Sequence, residues 1–318
     1  MWSKYPDIYE DLKTVEELIR ESTRTRNKLL QNIIDKLFQA GGKRIRPAFV
    51  IIASKFGKPD NKKVISMASA IEILHTATLV HDDIIDHSNL RRGKPTVNET
   101  YGSDIALYSG DFLFTKSILA LSKDISIDNL EYVARSIKII CEGEIDQYLN
   151  KRNPDISVVS YLKCAGRKTA VLFGAACGLG AYLAKCKPQV ARNLSKFGYD
   201  YGIAFQIKDD LDDFLKNQEH TGKTLGKDLM EGVITLPIIF AIKENENLRI
   251  LINDVFAKKS VITQAEIENI INLIKQTSAL IKAKQILEKY IDRGMKSLNK
   301  LPDNKYKSIL FDLINGLK

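Results

Sequence analysis

The sequence predicts an almost entirely α-helical protein with a single domain. Its 318 residues include only eight prolines, and the intervals between them carry apolar residues at three- and four-residue spacing. Residues 64 to 88 are apolar on nearly every face, which is typical of a helix buried inside a larger bundle. No linker, low-complexity segment or short repeat divides residues 1–318, so one domain is the simplest organisation.

Two other stretches indicate scaffold. Residues 170 to 184 form the longest uncharged run, but this run is shorter than the roughly 20 residues that a membrane-spanning helix needs. Gly174 and Gly178 in this run predict close packing between helices. From about residue 241 the sequence is rich in Lys, Asn and Ile at amphipathic spacing and carries no recognisable chemistry.

Composition narrows the class of protein. The four cysteines include no CxxC pair, so reduced thiols are expected rather than disulfides or a zinc cluster. The N-terminus, MWSKYPDIYEDLK, lacks the apolar segment of a signal peptide, and we expect a cytoplasmic protein. The net charge of +9 suits an anionic partner. Because no basic arm or nucleic-acid motif accompanies the scattered lysines, nucleic acid is not expected, and any membrane contact should be peripheral.

The first stretch with recognisable chemistry is LVHDDIIDHSNLRRGKP, residues 79 to 95. In a helix, Asp82 and Asp86 are four residues apart and present their carboxylates to one point, about 6 Å apart along the axis, with Asp83 beside them. Such like charges require a cation, and hard oxygen ligands favour magnesium, which commonly bridges carboxylates to a substrate phosphate. A solvated acidic face is the alternative for one isolated motif.

The same spacing recurs in FQIKDDLDD, residues 205 to 213, where Asp209, Asp210 and Asp213 follow an apolar helical run. Two acidic helix faces that look onto one cavity would hold a small cluster of divalent cations. Such a cluster suits a ligand with several negative charges, such as a diphosphate. The recurrence therefore favours metal binding over a solvated face.

Basic residues beside glycines and acidic helix ends supply the matching positive charge. They are Lys43, Arg44, Arg46, Arg91, Arg92 and Lys168. Arginine pairs with phosphate oxygens in bidentate fashion, whereas lysine acts as a mobile point charge. Ordinary surface charge is the alternative, but the placement of these residues favours a phosphate site. Neither a Walker A loop nor GxGxxG is present, so a nucleotide-binding fold has no support.

Together these motifs resemble the trans-polyprenyl diphosphate synthases, including the catalytic subunits of heptaprenyl and octaprenyl diphosphate synthases. The matching segments are GGKRIRP at 41, LVHDDIID and LRRGKPT within 79–96, GDFLF at 110, EGEIDQ at 142, RKTA at 167, FQIKDDLDD at 205 and GKTLGKDLMEGVITLP at 222–237. They follow the family's order over about two thirds of the chain. The resemblance implies an isoprenoid-synthase helical bundle around a deep central cavity, a homodimer, and the joining of isopentenyl diphosphate head to tail onto an allylic diphosphate.

The resemblance implies which residues hold the allylic diphosphate. Several magnesium ions per site would clamp this diphosphate and make it a better leaving group. The metal ligands that it implies are Asp82, Asp83, Asp86, Asp209, Asp210 and Asp213. The cations that it places on the leaving group, where they stabilise the charge released as the carbon–oxygen bond breaks, are Arg91, Lys168 and Lys223.

A second basic site and the catalytic residues follow from the same resemblance. It places isopentenyl diphosphate against Lys43, Arg46, His75 and Arg92. Thr169 and Gln206 match residues that line the path of the allylic cation, where oxygen dipoles stabilise positive charge. The implied catalytic residues are Asp82, Asp86, Lys168, Thr169, Gln206 and Asp209. No side chain need act as nucleophile, because the alkene attacks the cation and the released diphosphate takes the proton.

The spacing along the helix independently supports His75 as a diphosphate contact. It lies seven residues before Asp82, so two helical turns bring both side chains to one face. A core histidine is the alternative. The six-residue spacings to His81 and on to His87 do not fit a zinc pair, and these two histidines are expected to be structural.

Product length is a further expectation. Family members that stop at short products carry a large aromatic residue four or five positions before the first aspartate, whereas this chain has Thr78 and Ala77. A growing product would pass Thr78, Ala77 and Leu74. We therefore predict a hexaprenyl to octaprenyl product, with a farnesyl or geranylgeranyl product as the alternative.

One residue departs from the family pattern. Val233 stands in EGVITLP where many members have lysine, which removes a diphosphate contact that Lys227 is a candidate to replace. Members without this lysine include catalytic subunits that work with a small regulatory partner, so a two-component synthase is a second alternative. A terpene cyclase would have no use for GGKRIRP and RRG, and an inactive regulatory subunit would lose acidic ligands, so both rank lower.

Overall fold

A computed structural model describes residues 1–124, 126–215, 226–257 and 263–318, apart from the side chains at 124, 128 and 227. Within these residues the protein is all-α, as predicted, with one short two-stranded hairpin. The chain forms two compact units. The first unit comprises Met1–Ala134, Ala175–Ser195 and Pro302–Tyr306, and the second comprises Arg135–Gly174, Lys196–Leu301 and Lys307–Lys318. The assignment of one domain stays a prediction.

The first unit begins with a short 3₁₀ helix, Trp2–Lys4. Its following elements are α1 (Pro6–Ser22), α2 (Lys28–Gln39), α3 (Ile45–Ser54), α4 (Asn61–Ile85), β1 (Leu90–Arg91), β2 (Lys94–Pro95), α5 (Val97–Tyr101) and α6 (Ser103–Asp124). Helix α4 packs against α1, α3 and α6, which makes it the central helix of this unit.

Helix α4 is buried because its sequence is apolar on nearly every face. It begins after Asp60, whose side chain accepts hydrogen bonds from the backbone N–H groups of Lys62 and Lys63. Among the described residues, α4 is the helix long and apolar enough to cross a membrane, and 72% of its apolar window is buried inside the protein. Such burial is typical of a core helix.

The hairpin that follows α4 is short because of its turn. Leu90 pairs with Pro95 and Arg91 with Lys94, so Arg92 and Gly93 form a two-residue loop. Both loop residues have positive φ, 53° and 73°, as a type I′ turn requires. The turn therefore separates the side chains of Arg91 and Arg92, which are adjacent in sequence.

The remaining elements complete the chain. They are α7 (Ile127–Leu149), α8 (Val158–Ala165), a π-helical segment (Gly166–Ala170), α9 (Val171–Leu183), α10 (Pro188–Leu215), α11 (Lys227–Met230), α12 (Leu236–Glu244), α13 (Glu246–Ala257), α14 (Gln264–Lys275), α15 (Ala279–Leu298) and α16 (Lys305–Asn315). In the second unit, α12 packs against α8 and α15.

Close approaches between helices occur at Gly180 and Gly202, whereas Gly174 and Gly178 were the glycines predicted. A Cβ atom on Gly178 would make only ordinary van der Waals contacts, so the close packing predicted there is wrong. In the first unit, Gly180 lies directly against the backbone carbonyl of Val50 on α3. In the second, Gly202 of α10 lies against the Cα atom of Ala170, which leaves no room for a side chain.

Candidate active site

The first acidic motif lies at the C-terminal end of α4. The helix ends at Ile85, and the N–H of Asp86 donates to the carbonyl of Asp82 at 2.8 Å. Three carboxylates in this position are electrostatically unfavourable, because the C-terminal end of a helix carries negative dipole charge. Asp83 is 4% exposed and accepts bonds from Arg91 Nε at 2.8 Å and Nη2 at 2.7 Å. Asp82 and Asp86 are more exposed, and thus better placed to meet a cation.

A partly exposed stripe runs along α4 toward this end. Between residues 67 and 80, only His75, Thr78 and Leu79 escape full burial. With Asp82 and Asp86 they follow the three- and four-residue spacing of one helix face. Because the stripe joins His75, Thr78 and Asp82, it is the surface along which a ligand would contact α4.

Two residues predicted to line the same path are fully buried. Ala77 and Leu74 are each 1% exposed and pack in the core. Of the three positions predicted, Thr78 is the one that is partly exposed, and the passage of the product along Ala77 and Leu74 stays a prediction.

His75 lies among positive charges. Arg46 Nη1 lies 3.0 Å from His75 Nε2, and because a guanidinium can only donate, Nε2 accepts and the ring is neutral. Burial holds the pKa of His75 well below its usual value, and Arg46, Arg92 and Arg91 lower it further. A site where cations depress a histidine pKa in this way is suited to an anion.

Arg44 does not belong to the phosphate-binding cations among which its sequence position placed it. It lies in the interior, with Nη1 2.6 Å from Glu72 Oε1 and Nε 3.2 Å from Glu16 Oε1. Burial alone would lower the pKa of Arg44, but the two carboxylates outweigh burial and raise it. Its backbone, at φ 49°, occupies the position just before α3 without a capping bond from the side chain. Arg44 therefore holds the loop before α3 to α1 and α4.

Removal of the Glu72 charge should destabilise the fold. Glu72→Gln leaves Arg44 buried with a weakened pair, and we expect the free energy of unfolding to fall by about 3 kcal/mol. Urea denaturation of the variant measures the loss, and Glu17→Gln on the exposed face of α1 is the matched control. A loss below about 1 kcal/mol would mean that Glu16 and the Phe38 carbonyl satisfy Arg44 without Glu72.

The second acidic motif, on α10 in the second unit, repeats the arrangement of the first. Asp209 is exposed and Asp213 half-buried, whereas Asp210 is 2% exposed. Asp210 accepts a bond from Tyr161 Oη at 2.5 Å and another from Gln206 Nε2 at 2.8 Å. Burial raises the pKa of Asp210 to about 7, against the lowering effect of these two bonds.

In each motif, then, the second aspartate is buried and bonded to protein, and the first and last are more exposed. The roles of Asp83 and Asp210 as metal ligands stay predictions, and the geometry favours Asp82 with Asp86 and Asp209 with Asp213.

The residues of GRKTA lie on the π-helical segment between α8 and α9. The N–H of Val171 donates to the carbonyl of Gly166, a five-residue step that frequently marks functional sites. Lys168 Nζ bonds Glu144 Oε2 at 2.8 Å and Gln147 Oε1 at 2.7 Å. The EGEIDQ segment therefore orients the lysine, a role that its sequence did not reveal.

Thr169 and Gln206 belong to one hydrogen-bonded chain. Thr169 Oγ1 donates to Gln206 Oε1 at 2.8 Å, and Gln206 in turn donates to Asp210. The buried Asp210 carboxylate therefore fixes the orientation of the Gln206 amide, and Gln206 fixes the Thr169 hydroxyl.

Asp228 joins the acidic residues of the second unit, although no spacing in the sequence pointed to it. Burial raises its pKa well above the usual value, and the nearby Asp210 and Asp213 raise it further. The N–H of Val233, at the position of the missing lysine, donates to the Asp228 carbonyl at 2.7 Å. Lys223 and the side chain of Lys227 lie outside the described residues.

The donor chemistry of both motifs fits a hard divalent cation. All candidate ligands are carboxylate oxygens, and their mutual repulsion is relieved by a cation. Among the described residues, no group of three or more His, Cys, Asp or Glu side chains comes close enough to hold a metal ion. Magnesium commonly uses only one or two protein carboxylates together with substrate phosphates and water.

Comparisons with known proteins of similar sequence and structure identify the family. A family described as Polyprenyl synthetase matches residues 27–274. Heptaprenyl diphosphate synthase component 2 of Geobacillus stearothermophilus is 36% identical over 309 residues, which cover 97% of this chain and 95% of that protein. The crystal structure of heptaprenyl diphosphate synthase from Staphylococcus aureus matches with a TM-score of 0.92 and 32% identity, covering 98% of this chain and 97% of that one.

A third similar protein carries ligands. The polyprenyl synthase from Caulobacter crescentus CB15, in a crystal structure complexed with calcium and isoprenyl diphosphate, has a TM-score of 0.92 and 31% identity to this chain. The match covers 97% of this chain and 94% of that one.

Proposed function

Because the chain belongs to the polyprenyl synthetase family, we propose that it elongates an allylic diphosphate with isopentenyl diphosphate, head to tail, to a hexaprenyl to octaprenyl product. It is a prenyltransferase. The product length is inferred from the small size of Thr78, which lies on the partly exposed stripe of α4, one turn before Asp82. The heptaprenyl diphosphate synthases of similar sequence and structure support the same range.

The leaving diphosphate is proposed to be bound through Mg²⁺, several ions per site. The candidate metal ligands are Asp82 and Asp86 in the first unit and Asp209 and Asp213 in the second. When bound, Mg²⁺ neutralises diphosphate charge and improves the leaving group. The complex of the Caulobacter protein with calcium and isoprenyl diphosphate supports the use of a divalent cation.

A cationic side chain of the protein is also proposed to stabilise the leaving group. Lys168, held by Glu144 and Gln147, can place its ammonium on diphosphate oxygens and stabilise their charge as the bond breaks. The fixed dipoles of Thr169 and Gln206 favour the allylic cation without attacking it.

Isopentenyl diphosphate is proposed to bind Lys43, Arg46 and Arg92 in the first unit. Neutral His75 adds a ring N–H without adding charge, and its Nε2 keeps Arg46 in place. The alkene then attacks the allylic cation, and the released diphosphate accepts the proton that the new product loses.

The Arg92 guanidinium lies directly over Gly42, where a Cβ atom would be 2.8 Å from Arg92 Nη1. Gly42→Ala should therefore displace the guanidinium without unfolding the protein. We expect the KM for isopentenyl diphosphate to rise about tenfold, the effect of weakening one charged hydrogen bond, with kcat little changed. Steady-state kinetics with each substrate varied in turn measure this change, and an unchanged KM would remove Arg92 from the binding site.

We further propose a cytoplasmic homodimer with at most peripheral membrane contact. Exposed apolar side chains on α6, including Leu107, Tyr108 and Leu119, support association with a second copy. A small regulatory subunit is the alternative, supported by Val233 and by the name component 2 of the Geobacillus protein.

The product formed by the purified chain alone tests the proposal. The chain is incubated with farnesyl diphosphate, isopentenyl diphosphate and Mg²⁺, and the dephosphorylated products are separated by length. A hexaprenyl to octaprenyl ladder supports a self-sufficient synthase. Arrest at geranylgeranyl contradicts the predicted length, and no product at all contradicts self-sufficiency and favours the two-component alternative.

A further inference from the structure

The tryptophan near the N-terminus contacts the loop that leads into α3. Trp2, the only tryptophan of the chain, is 7% exposed. Its indole Nε1 donates to the backbone carbonyl of Lys43 at 2.6 Å. This bond joins two positions 41 residues apart, and it reaches the backbone of a residue that carries a candidate diphosphate-binding side chain.

The loop before α3 needs this hydrogen bond because its glycines give its backbone conformational freedom. Gly41 has a φ of 73° and Gly42 follows, so the backbone before Lys43 has the conformational freedom of two glycines. The side chain of Lys43 is exposed and so has little packing to hold it. On the other side, Arg44 is fixed by its pairs with Glu72 and Glu16. The Trp2 bond therefore fixes the one peptide carbonyl between the loose glycines and the anchored arginine.

The indole itself is held by the rest of the first unit. The N–H of Tyr5 donates to the carbonyl of Trp2 at 2.8 Å, and the two rings lie 6.4 Å apart. The helix that follows, α1, packs against α3 and α4. Asp11 of α1 also pairs with Lys55 at 3.0 Å, just after α3. Trp2 thus connects the Lys43 loop to the start of α1, which packs against α3 and α4.

We propose that Trp2 is a positioning residue for isopentenyl diphosphate, acting through Lys43. The indole holds the Lys43 carbonyl, and this sets where the Lys43 ammonium meets the diphosphate. The inference rests on the proposed function, which assigns Lys43 to that substrate. It adds to that function a determinant of affinity in the N-terminal segment, outside every motif that the sequence singled out.

Trp2→Phe is the direct test, because phenylalanine keeps an aromatic ring and removes the N–H donor. The KM for isopentenyl diphosphate should rise about fivefold, the value of one lost hydrogen bond. The kcat and the KM for the allylic diphosphate should stay within about twofold, a split that general destabilisation would not produce. Tyr9→Phe, on the exposed face of α1, is the matched control and should change none of these constants.

Lys43→Ala separates failure of this inference from failure of the proposed function. If Lys43→Ala raises the KM for isopentenyl diphosphate and Trp2→Phe leaves it unchanged, Trp2 has no positioning role. If Lys43→Ala leaves that KM unchanged, the assignment of Lys43 is wrong and the inference falls with it. If the KM for isopentenyl diphosphate rises more in the double variant Trp2→Phe with Lys43→Ala than in Lys43→Ala alone, Trp2 acts through another residue, which also overturns the inference.

A measurement on the unaltered chain guards against a variant that does not fold. With one tryptophan, the ¹⁵N-labelled protein gives one indole N–H signal in a proton–nitrogen NMR spectrum. Saturating isopentenyl diphosphate should shift this signal, because the ligand changes the field at the Lys43 carbonyl that the indole binds. The shift should be lost in Lys43→Ala, and a signal that does not move on saturation of the unaltered chain would contradict the inference.

Discussion

Replacement of Asp82 by asparagine is expected to lower kcat about 1,000-fold, or about 4 kcal/mol in activation free energy. Asp82 lies on the partly exposed stripe of α4 and is four residues from Asp86, so the change removes one of the two carboxylates that would meet the cation there. An amide oxygen has the same shape but no charge, so the diphosphate would leave with less of its charge neutralised. The Mg²⁺ concentration for half-maximal rate should rise as well.

The measurement is steady-state release of diphosphate at several Mg²⁺ concentrations, with both substrates present. Asp254→Asn on the exposed surface of α13 is the control for loss of a carboxylate and should retain full activity. Circular dichroism of both variants checks the fold. If the kcat of Asp82→Asn were less than about tenfold below that of the unaltered chain at every Mg²⁺ concentration, the first motif would not be the site of ionisation.

Thr78→Phe should convert the chain into a short-product enzyme. Thr78 lies one helical turn before Asp82 on the same face, about 6 Å toward the start of α4. A phenyl ring there would fill the space beside the stripe through which a growing chain must pass. We expect farnesyl and geranylgeranyl products to replace the longer ones, with the rate of the first condensation little affected.

Chain-length analysis of products from the variant and the unaltered protein measures this effect. Thr78→Val, which keeps the volume and removes the hydroxyl, is the matched control and should leave the product distribution unchanged. An unchanged distribution in Thr78→Phe would show that the product does not pass Thr78. Shortening in Thr78→Val as well would assign the effect to the lost hydroxyl bond to the His75 carbonyl, 2.8 Å long, rather than to size.

The features predicted correctly from the sequence depend on local periodicity. The all-helical class follows from apolar spacing and rare prolines. The common face of His75, Thr78, Asp82 and Asp86 follows from the helix period alone, since a residue's angle on the helix depends only on its number. Family membership required only the motifs and their order.

Features that depend on tertiary contacts could not be predicted in this way. The sequence gives no sign that Asp83 faces Arg91 across a hairpin turn, or that Arg44 points inward to Glu72 while Arg46 points to His75. The full burial of Ala77 and Leu74 could not be predicted either, because an apolar helix does not reveal which of its apolar faces is covered. The Trp2 bond to Lys43 is set by the packing of α1, which no spacing rule describes.

The acidic end of α4 has a consequence for how the protein responds to its surroundings. A ligand that binds the folded chain and not the unfolded chain stabilises it by mass action, by about 2.7 kcal/mol at a concentration 100 times its Kd. Under the proposed function, Mg²⁺ with diphosphate is such a ligand. The melting temperature should therefore track the supply of free Mg²⁺ and diphosphate, so the chain would be most vulnerable to unfolding and proteolysis when its substrates are scarce.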